Sequence, residues 1–450
     1  MSHDLLVGLD VGTTSCKAVV ARVGGAELAR SSAPTPWRKV PTGAELDPGE
    51  LLEAALGAIR EALSAAPGGH VAALGVTSMA ETGVLLDASG NPVVPAIAWH
   101  DGRGEQEAAL LAAELGGERF VERTGLPPSR LCSLAKLRWL RTNDASAARG
   151  VRWLNVAEWI VRGLGGDETA ELSLAARTGF LEFERRSWWS EAVEWAGFAT
   201  SLLPEPAPAG TPAGHAAAFD SAVLAVAGHD HLCAAVGAGA TLPGDLFDSC
   251  GSAEALVRAV SPPVPVEAVQ RAVAGGVTVG WHVFGGHNAL LGGFLSGLVL
   301  QRFLDLLGAG EDGREDLDAA AIAAPHGAGG LTVLDLTSNT ASLAGIGPGV
   351  SPGLVWRAAL EATAAHAAGI KAVIESVAGR TERLVVSGGW AHDPGVRAVK
   401  RQMLGSFERP PVAEAGARGA ALLAGVAAGI YGGIEDLPTI KPAREVVECD

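Results

Sequence analysis

Apolar residues open the chain in two short blocks, Leu5-Leu6-Val7-Gly8-Leu9 and the stretch 16–23, separated by Asp10-Val11-Gly12-Thr13-Thr14. A glycine-centred turn between apolar and β-branched runs predicts a strand–turn–strand hairpin. Over residues 48–66 the pattern predicts an amphipathic helix, with Asp47 as N-cap and Pro48 in the first helical position. Residues 71–76 and 84–86 read as buried strands, and Asp87-Ala88-Ser89-Gly90-Asn91 as the turn that follows. From about 102 to 149 the pattern is mostly helical, broken at Pro127-Pro128 and resumed by a short helix over 131–140. Residues 202–214, rich in Pro, Ala and Gly, predict an ordered surface loop leading into a strand at 223–226.

Near Thr241 the pattern begins again. Residues 245–249 predict a strand and Cys250-Gly251-Ser252 a turn, a looser version of the opening hairpin. Helices are expected at about 298–307 and 356–377, a strand at 383–387, and a closing helix after Gly416. Two α/β halves, 1–240 and 241–450, each headed by a glycine turn, predict a duplicated two-lobed enzyme with its ligand between the lobes.

Charge narrows the partners. The 450 residues carry 34 Lys and Arg against 50 Asp and Glu, a formal net charge of −16, with no dense basic stripe. That argues against nucleic acid. Five cysteines, at 16, 132, 233, 250 and 449, form no CxxC pair and no zinc spacing. With an N-terminus that lacks the basic-then-apolar pattern of a secretion signal, they point to reduced thiols in a cytoplasmic protein. The apolar, uncharged stretch 419–434 has 16 residues and five glycines. A membrane span needs about 20 mostly apolar residues, so no membrane partner is expected.

Three motifs carry candidate chemistry. In Gly8-Leu9-Asp10-Val11-Gly12-Thr13-Thr14-Ser15-Cys16-Lys17, the glycine turn and two threonines offer N–H groups and hydroxyls to a phosphate. Asp10, on the strand before it, can hold a magnesium ion beside those oxygens; an ordinary hairpin turn is the competing reading. Ala227-Gly228-His229-Asp230-His231 puts a carboxylate at the end of a buried strand, where a general base for phosphoryl transfer could stand. A helix N-cap, or a zinc site from the flanking histidines, are the other readings of that motif. Paired glycines in Ser387-Gly388-Gly389-Trp390-Ala391-His392-Asp393 let a flat ligand or a phosphate approach the backbone.

Together these motifs resemble the FGGY family of carbohydrate kinases. The resemblance runs along nearly the whole chain in order, through Glu45-Leu46-Asp47-Pro48, Trp99-His100-Asp101-Gly102-Arg103, Arg123-Thr124-Gly125-Leu126-Pro127, Ala175-Ala176-Arg177-Thr178 and Ala415-Gly416-Ala417-Arg418-Gly419. It implies an α/β protein of two ribonuclease-H-like, actin-like ATPase domains that close on a small sugar or polyol, with ATP and Mg²⁺ as cofactors. By resemblance Asp230 is the catalytic base, and Asp10 with Asp230 holds the metal. Gly12, Thr13, Thr14, Lys17, Gly251, Ser252, Gly297, Gly388, Gly389 and Asp393 fall on the nucleotide side. Ala80, Glu81, Asp101, Arg103 and His231 fall on the substrate side, with a structural Arg103–Asp101 pair as the competing reading of that motif. Here the chain departs from the family pattern, because Ala80 stands where glycerol kinases have an arginine. A second departure spans residues 329–349, which puts any oligomer contact made there, a homodimer included, in question. The chain is also short for the family, which implies a trimmed second domain. Glu81 and Asp230 favour a neutral polyol or ketose, since an acidic substrate is repelled unless an arginine intervenes. An actin-like ATPase and a non-catalytic sugar or nucleotide sensor are the competing classes for the same fold.

Overall fold

The structure, a computed structural model, describes residues 4–336 and 340–440. The opening hairpin forms as the pattern predicts: β1 (Leu5–Val11) pairs antiparallel with β2 (Ser15–Arg22), from Leu5 opposite Arg22 to Val11 opposite Cys16. A third strand, β3 (Glu27–Pro34), extends the sheet beyond β2. Hydropathy gives no hint of it, because ELARSSAP contains no apolar run. Helix α1 (Pro48–Ala65) begins at its expected cap, where Asp47 Oδ1 accepts the backbone N–H groups of Gly49 at 2.8 Å and Glu50 at 3.1 Å. These are donors that a helix start otherwise leaves free. β4 (Val71–Ser78) lies parallel to β1, and β5 (Ala222–His229) parallel to β4. The order across this sheet is His215–Ala216, β5, β4, β1, β2, β3. Its central parallel strands are buried on both faces, which their continuous apolar runs require.

A second sheet repeats the plan. β6 (Asp245–Cys250) forms a hairpin with β7 (Glu254–Val260), β8 (Thr278–Trp281) and β9 (Asn288–Phe294) extend that side, and β10 (Arg383–Ser387) runs parallel to β6 on the other. The order is β8-β9-β7-β6-β10. Strand β7 is the second arm of the expected hairpin, while β8 and β9 are absent from the sequence expectations; β9 contains Gly292-Gly293, which breaks its strand signature. The departing segment near 329–349 carries a small hairpin, Thr332–Leu334 with Ser342–Ala344. Residues 337–339 of it, and Cys449, lie outside the described residues.

Helix α2 (Asp230–Gly237) starts directly at the end of β5. In the second half, α3 (Ser296–Leu307) packs on α4 (Pro352–Ala378), which also packs on α5 (Pro394–Leu404). The closing helix α6 (Ala415–Ala427) departs from the 241–450 grouping: it returns to the first sheet, packing on β1, β4 and β5 and along α2. The approach leaves no room for side chains. A Cβ on Gly8 would stand 1.8 Å from the Ala417 carbonyl oxygen, one on Gly75 2.1 Å from that of Ala420, and one on Gly419 1.9 Å from that of Cys233. Among the described residues no helix is long and apolar enough to cross a membrane.

Gly419→Ala is expected to lower the unfolding free energy by about 1–3 kcal/mol, the usual cost of forcing a methyl group into a filled contact. Denaturant titration reads this directly. An unchanged midpoint would show that α2 and α6 separate freely.

Candidate active site

Asp10 and Asp230 stand at the C-terminal edge of the first sheet. Register puts Asp10 opposite Thr77 on β4, and the next β4 residue, Ser78, opposite His229 on β5. Open α/β sheets bind their ligands at this edge. Asp10 Oδ1 is buried and has no hydrogen-bond partner. Its Oδ2 is pressed against the first turn of α6, where a Cβ on Gly416 would lie only 2.3 Å away. Burial, and then the charge of Asp230, push the Asp10 carboxyl far above its ordinary range, against the pull of Lys17. Asp230 is raised as well, by burial first and by Glu81, although the His231 backbone N–H donates to its Oδ1 at 2.6 Å. His229 Nε2 lies 3.3 Å from the same oxygen and His231 Nε2 4.0 Å. Burial lowers both imidazoles, His231 to about 4, so each is neutral at pH 7. Two buried carboxyls, one with an orphaned oxygen, fit a divalent cation.

The first glycine turn is braced by two indoles. Trp37 Nε1 donates to the Thr13 carbonyl at 2.6 Å and Trp99 Nε1 to Thr13 Oγ1 at 2.9 Å, while Thr35 Oγ1 donates to the Gly12 carbonyl at 2.8 Å. Lys17 pairs with Glu414 at 2.7 Å, ahead of α6. The second turn, Gly251-Ser252-Ala253, is one residue shorter: Gly251 N–H donates to Ala253 O, where Gly12 N–H reaches Ser15 O, both at 3.1 Å. Gly297 and Gly388 crowd it, since Cβ atoms there would stand 2.1 Å from Gly251 O and 2.5 Å from Cys250 O. Gly389 has open space in front of it.

Residues 5–237 match the FGGY family of carbohydrate kinases, N-terminal domain. The glycerol kinase of Leifsonia xyli subsp. xyli (strain CTCB07) is 30% identical over 469 residues, which spans 96% of this chain and 91% of that one. The chain belongs to the FGGY family of carbohydrate kinases. Among solved structures, xylulose kinase from Rhodospirillum rubrum superposes with a TM-score of 0.85 at 26% identity, over 98% of this chain and 94% of that one. Plasmodium falciparum glycerol kinase with ADP superposes with a TM-score of 0.84 at 18% identity, over 98% and 93%. The two-domain actin-like ATPase fold is therefore present, and this FGGY protein is a phosphotransferase acting on an alcohol group.

Several residues that the family resemblance put on the ligand surface have other partners. Asp101 and Arg103 clamp each other: Arg103 Nε and Nη2 donate to Asp101 Oδ1 and Oδ2, both at 2.9 Å, and Nη1 donates to Glu45 Oε2 at 2.9 Å. The Ala44 and Arg103 N–H groups occupy the remaining positions on the Asp101 carboxylate, so the pair is a brace for the loop rather than a substrate contact. Asp393 is likewise consumed, capping α5 through Val396 N–H at 2.8 Å and binding Arg314 Nε at 2.8 Å. Its carboxylate is buried, and both oxygens already carry donors from within the fold. Ala80 is buried and brings only backbone to the site. Asp230 is the first residue of α2 and not its cap, and the flanking histidines form no metal cluster with it.

Glu81 keeps an exceptional backbone, with φ +61° in the left-handed region. Such strain persists only where its surroundings hold it. Arg177 is what holds it: its Nε donates to Glu81 Oε1 at 2.7 Å, and its Nη1 to Thr278 Oγ1 of the second sheet, also at 2.7 Å. The sequence reading passed over Arg177 as a site residue, although it stands in the Ala-Ala-Arg-Thr motif. It also missed Lys136, whose Nζ donates to the Trp99, Arg130 and Leu131 carbonyls at 3.1, 2.9 and 3.2 Å. Burial lowers that amine to about 8. A lysine inside Ser133-Leu134-Ala135-Lys136-Leu137 was its only signal.

The raised Asp10 and Asp230 carboxyls make the metal-free protein pH-sensitive. Groups whose folded pKa exceeds the unfolded one stabilise fully at low pH, and that contribution is lost as pH rises through the folded value. Metal-free melts are therefore expected to fall from about pH 5 to pH 8, and Asp10→Asn to flatten the fall and melt above wild type at pH 8. A variant that melts below wild type there would contradict the repulsion between these carboxyls.

Proposed function

We propose that this chain transfers the γ-phosphate of ATP to a primary hydroxyl of a neutral polyol or ketose. The observation that carries the reading is the facing pair Asp10 and Asp230, charged against each other at the strand edge beside a braced glycine turn. In this reading Asp230 orients the acceptor hydroxyl and takes its proton, a role suited to a carboxyl whose burial raises its basicity. The N–H groups and hydroxyls of Thr13 and Thr14 on one turn, and of Ser252 on the other, receive the phosphates, while Gly12 and Gly251 shape the turns through their own N–H bonds. Asp10 and Asp230 would hold Mg²⁺, which when bound neutralises charge on the phosphate chain. Neutral His231 can donate to or accept from an acceptor hydroxyl.

Arg177 bears on the acceptor's charge. Its guanidinium already has a countercharge in Glu81, so an acidic acceptor would bring a negative charge with no partner. A neutral diol meets a carboxylate oxygen and guanidinium N–H groups side by side, an acceptor and donors for adjacent hydroxyls.

ADP release with Mg-ATP against C3 to C6 polyols, ketoses and aldonates tests the reading. A response to one neutral member is expected, and Asp230→Asn is expected to lower kcat by about 10²–10⁴ while the nucleotide itself still binds. ADP release that ignores every acceptor would give the ATPase instead, and near-wild-type turnover in Asp230→Asn would remove the base assignment.

A further inference from the structure

Behind the second glycine turn lies a charged cluster that the reaction as described does not use. Lys400, on α5, is buried, and its Nζ lies 2.5 Å from Asp248 Oδ2 and 2.5 Å from Glu254 Oε1. All three side chains are at most 4% exposed, so these charges have essentially no water to fall back on. Asp248 sits on β6, Glu254 opens β7, and Cys250 opposite Glu254 is the register pair that closes the turn Gly251-Ser252-Ala253. Cys250 Sγ lies 3.4 Å from Asp248 Oδ1. Asp248, Cys250 and Glu254 converge closely enough to cage a cation, and the lysine ammonium bridges its two carboxylates. One ammonium thus ties together both strands at the base of the turn. Because α5 follows Gly388-Gly389, the same side chain also ties the turn to that glycine segment. The turn is also supported by the close approaches of Gly297 and Gly388, by its own Gly251 N–H to Ala253 O bond at 3.1 Å, and by Leu298 N–H, which donates to Ser252 O at 3.0 Å.

We propose that Lys400 is the positioning residue of the second phosphate turn, setting the spacing of β6 and β7 so that Gly251 and Ser252 stay aimed at the nucleotide. This rests on reading that turn as a phosphate site. Without the ammonium, two buried carboxylates face each other across the hairpin and drive its strands apart. Nucleotide binding should suffer while acceptor binding does not, because Glu81 and Asp230 belong to the other sheet.

Calorimetric Mg-ADP binding, which needs no acceptor, is the test. The variants are Lys400→Arg and the uncharged triple variant Lys400→Met, Asp248→Asn, Glu254→Gln, each first shown to melt cooperatively. The triple variant leaves no buried charge unpaired, so it keeps the question open to measurement where Lys400→Arg fails to fold. The expected result is a Kd for Mg-ADP weaker by about 10–100-fold, the range for losing a supporting outer contact, with acceptor KM within about twofold. Wild-type affinity in the folded triple variant would overturn the positioning role and leave the kinase reading intact. A wild-type protein that binds no Mg-ADP would overturn both.

Discussion

Between α6 and the first sheet there is no space for a methyl group. Packed helices ordinarily keep their axes about 8–10 Å apart because side chains hold them off. Here Gly8 and Gly75 on the sheet, and Gly237 and Gly419 between the helices, bring backbone against backbone. The close approach fixes the height of α6 above β1, and that height decides where Gly416 meets the Asp10 carboxylate. The position of the reacting edge therefore depends on four missing side chains, since any bulk at them would lift the floor from beneath Asp10.

Against that rigid floor the site stores unfavourable charge. Burial and the charge of Asp230 raise Asp10, burial and Glu81 raise Asp230, and Asp10 Oδ1 is left without a donor. Glu81 adds backbone strain. None of this helps folding. It persists because the surroundings over-determine it: indoles brace the first turn, Lys136 collects three carbonyls beneath Trp99, and Arg177 neutralises Glu81 while reaching the second sheet. Arg177 is also a direct polar link from the substrate side to the other half, so the orientation of Glu81 is tied to how the halves sit together.

Much of this was readable in the chain before any coordinates. The hairpin around Gly12, the cap at Asp47 and the strand before Asp230 are local patterns, written in residues that neighbour one another. Other features are relations between distant residues, and local pattern does not encode those. Nothing near Gly416 says that its helix crosses back to β1, and nothing in β9 says strand when two glycines interrupt it. Asp101, Arg103 and Asp393 show the converse, motif positions whose carboxylates the fold gives other partners. The Arg103–Asp101 pair was readable as an alternative from two residues apart, but the Arg314 that reaches Asp393 comes from a separate helix and only the fold brings it there. Arg177 was visible as a letter in a motif, but its partner, Glu81, is brought to it by the fold.

The return of α6 also sets a timetable. Residues 8 and 417 touch, so the sheet that carries Asp10 is synthesised long before the helix that covers it. Until that helix arrives, the apolar face of β1, β4 and β5 has no cover, and the Asp10 carboxylate has no floor. A growing chain is in this state until residues 415–427 emerge, with exposed sheet surface open to chaperones and to aggregation alike. The same order ensures that no chain without α6 can assemble the reacting edge, because Gly416, which closes it, follows both Asp10 and Asp230 in the chain.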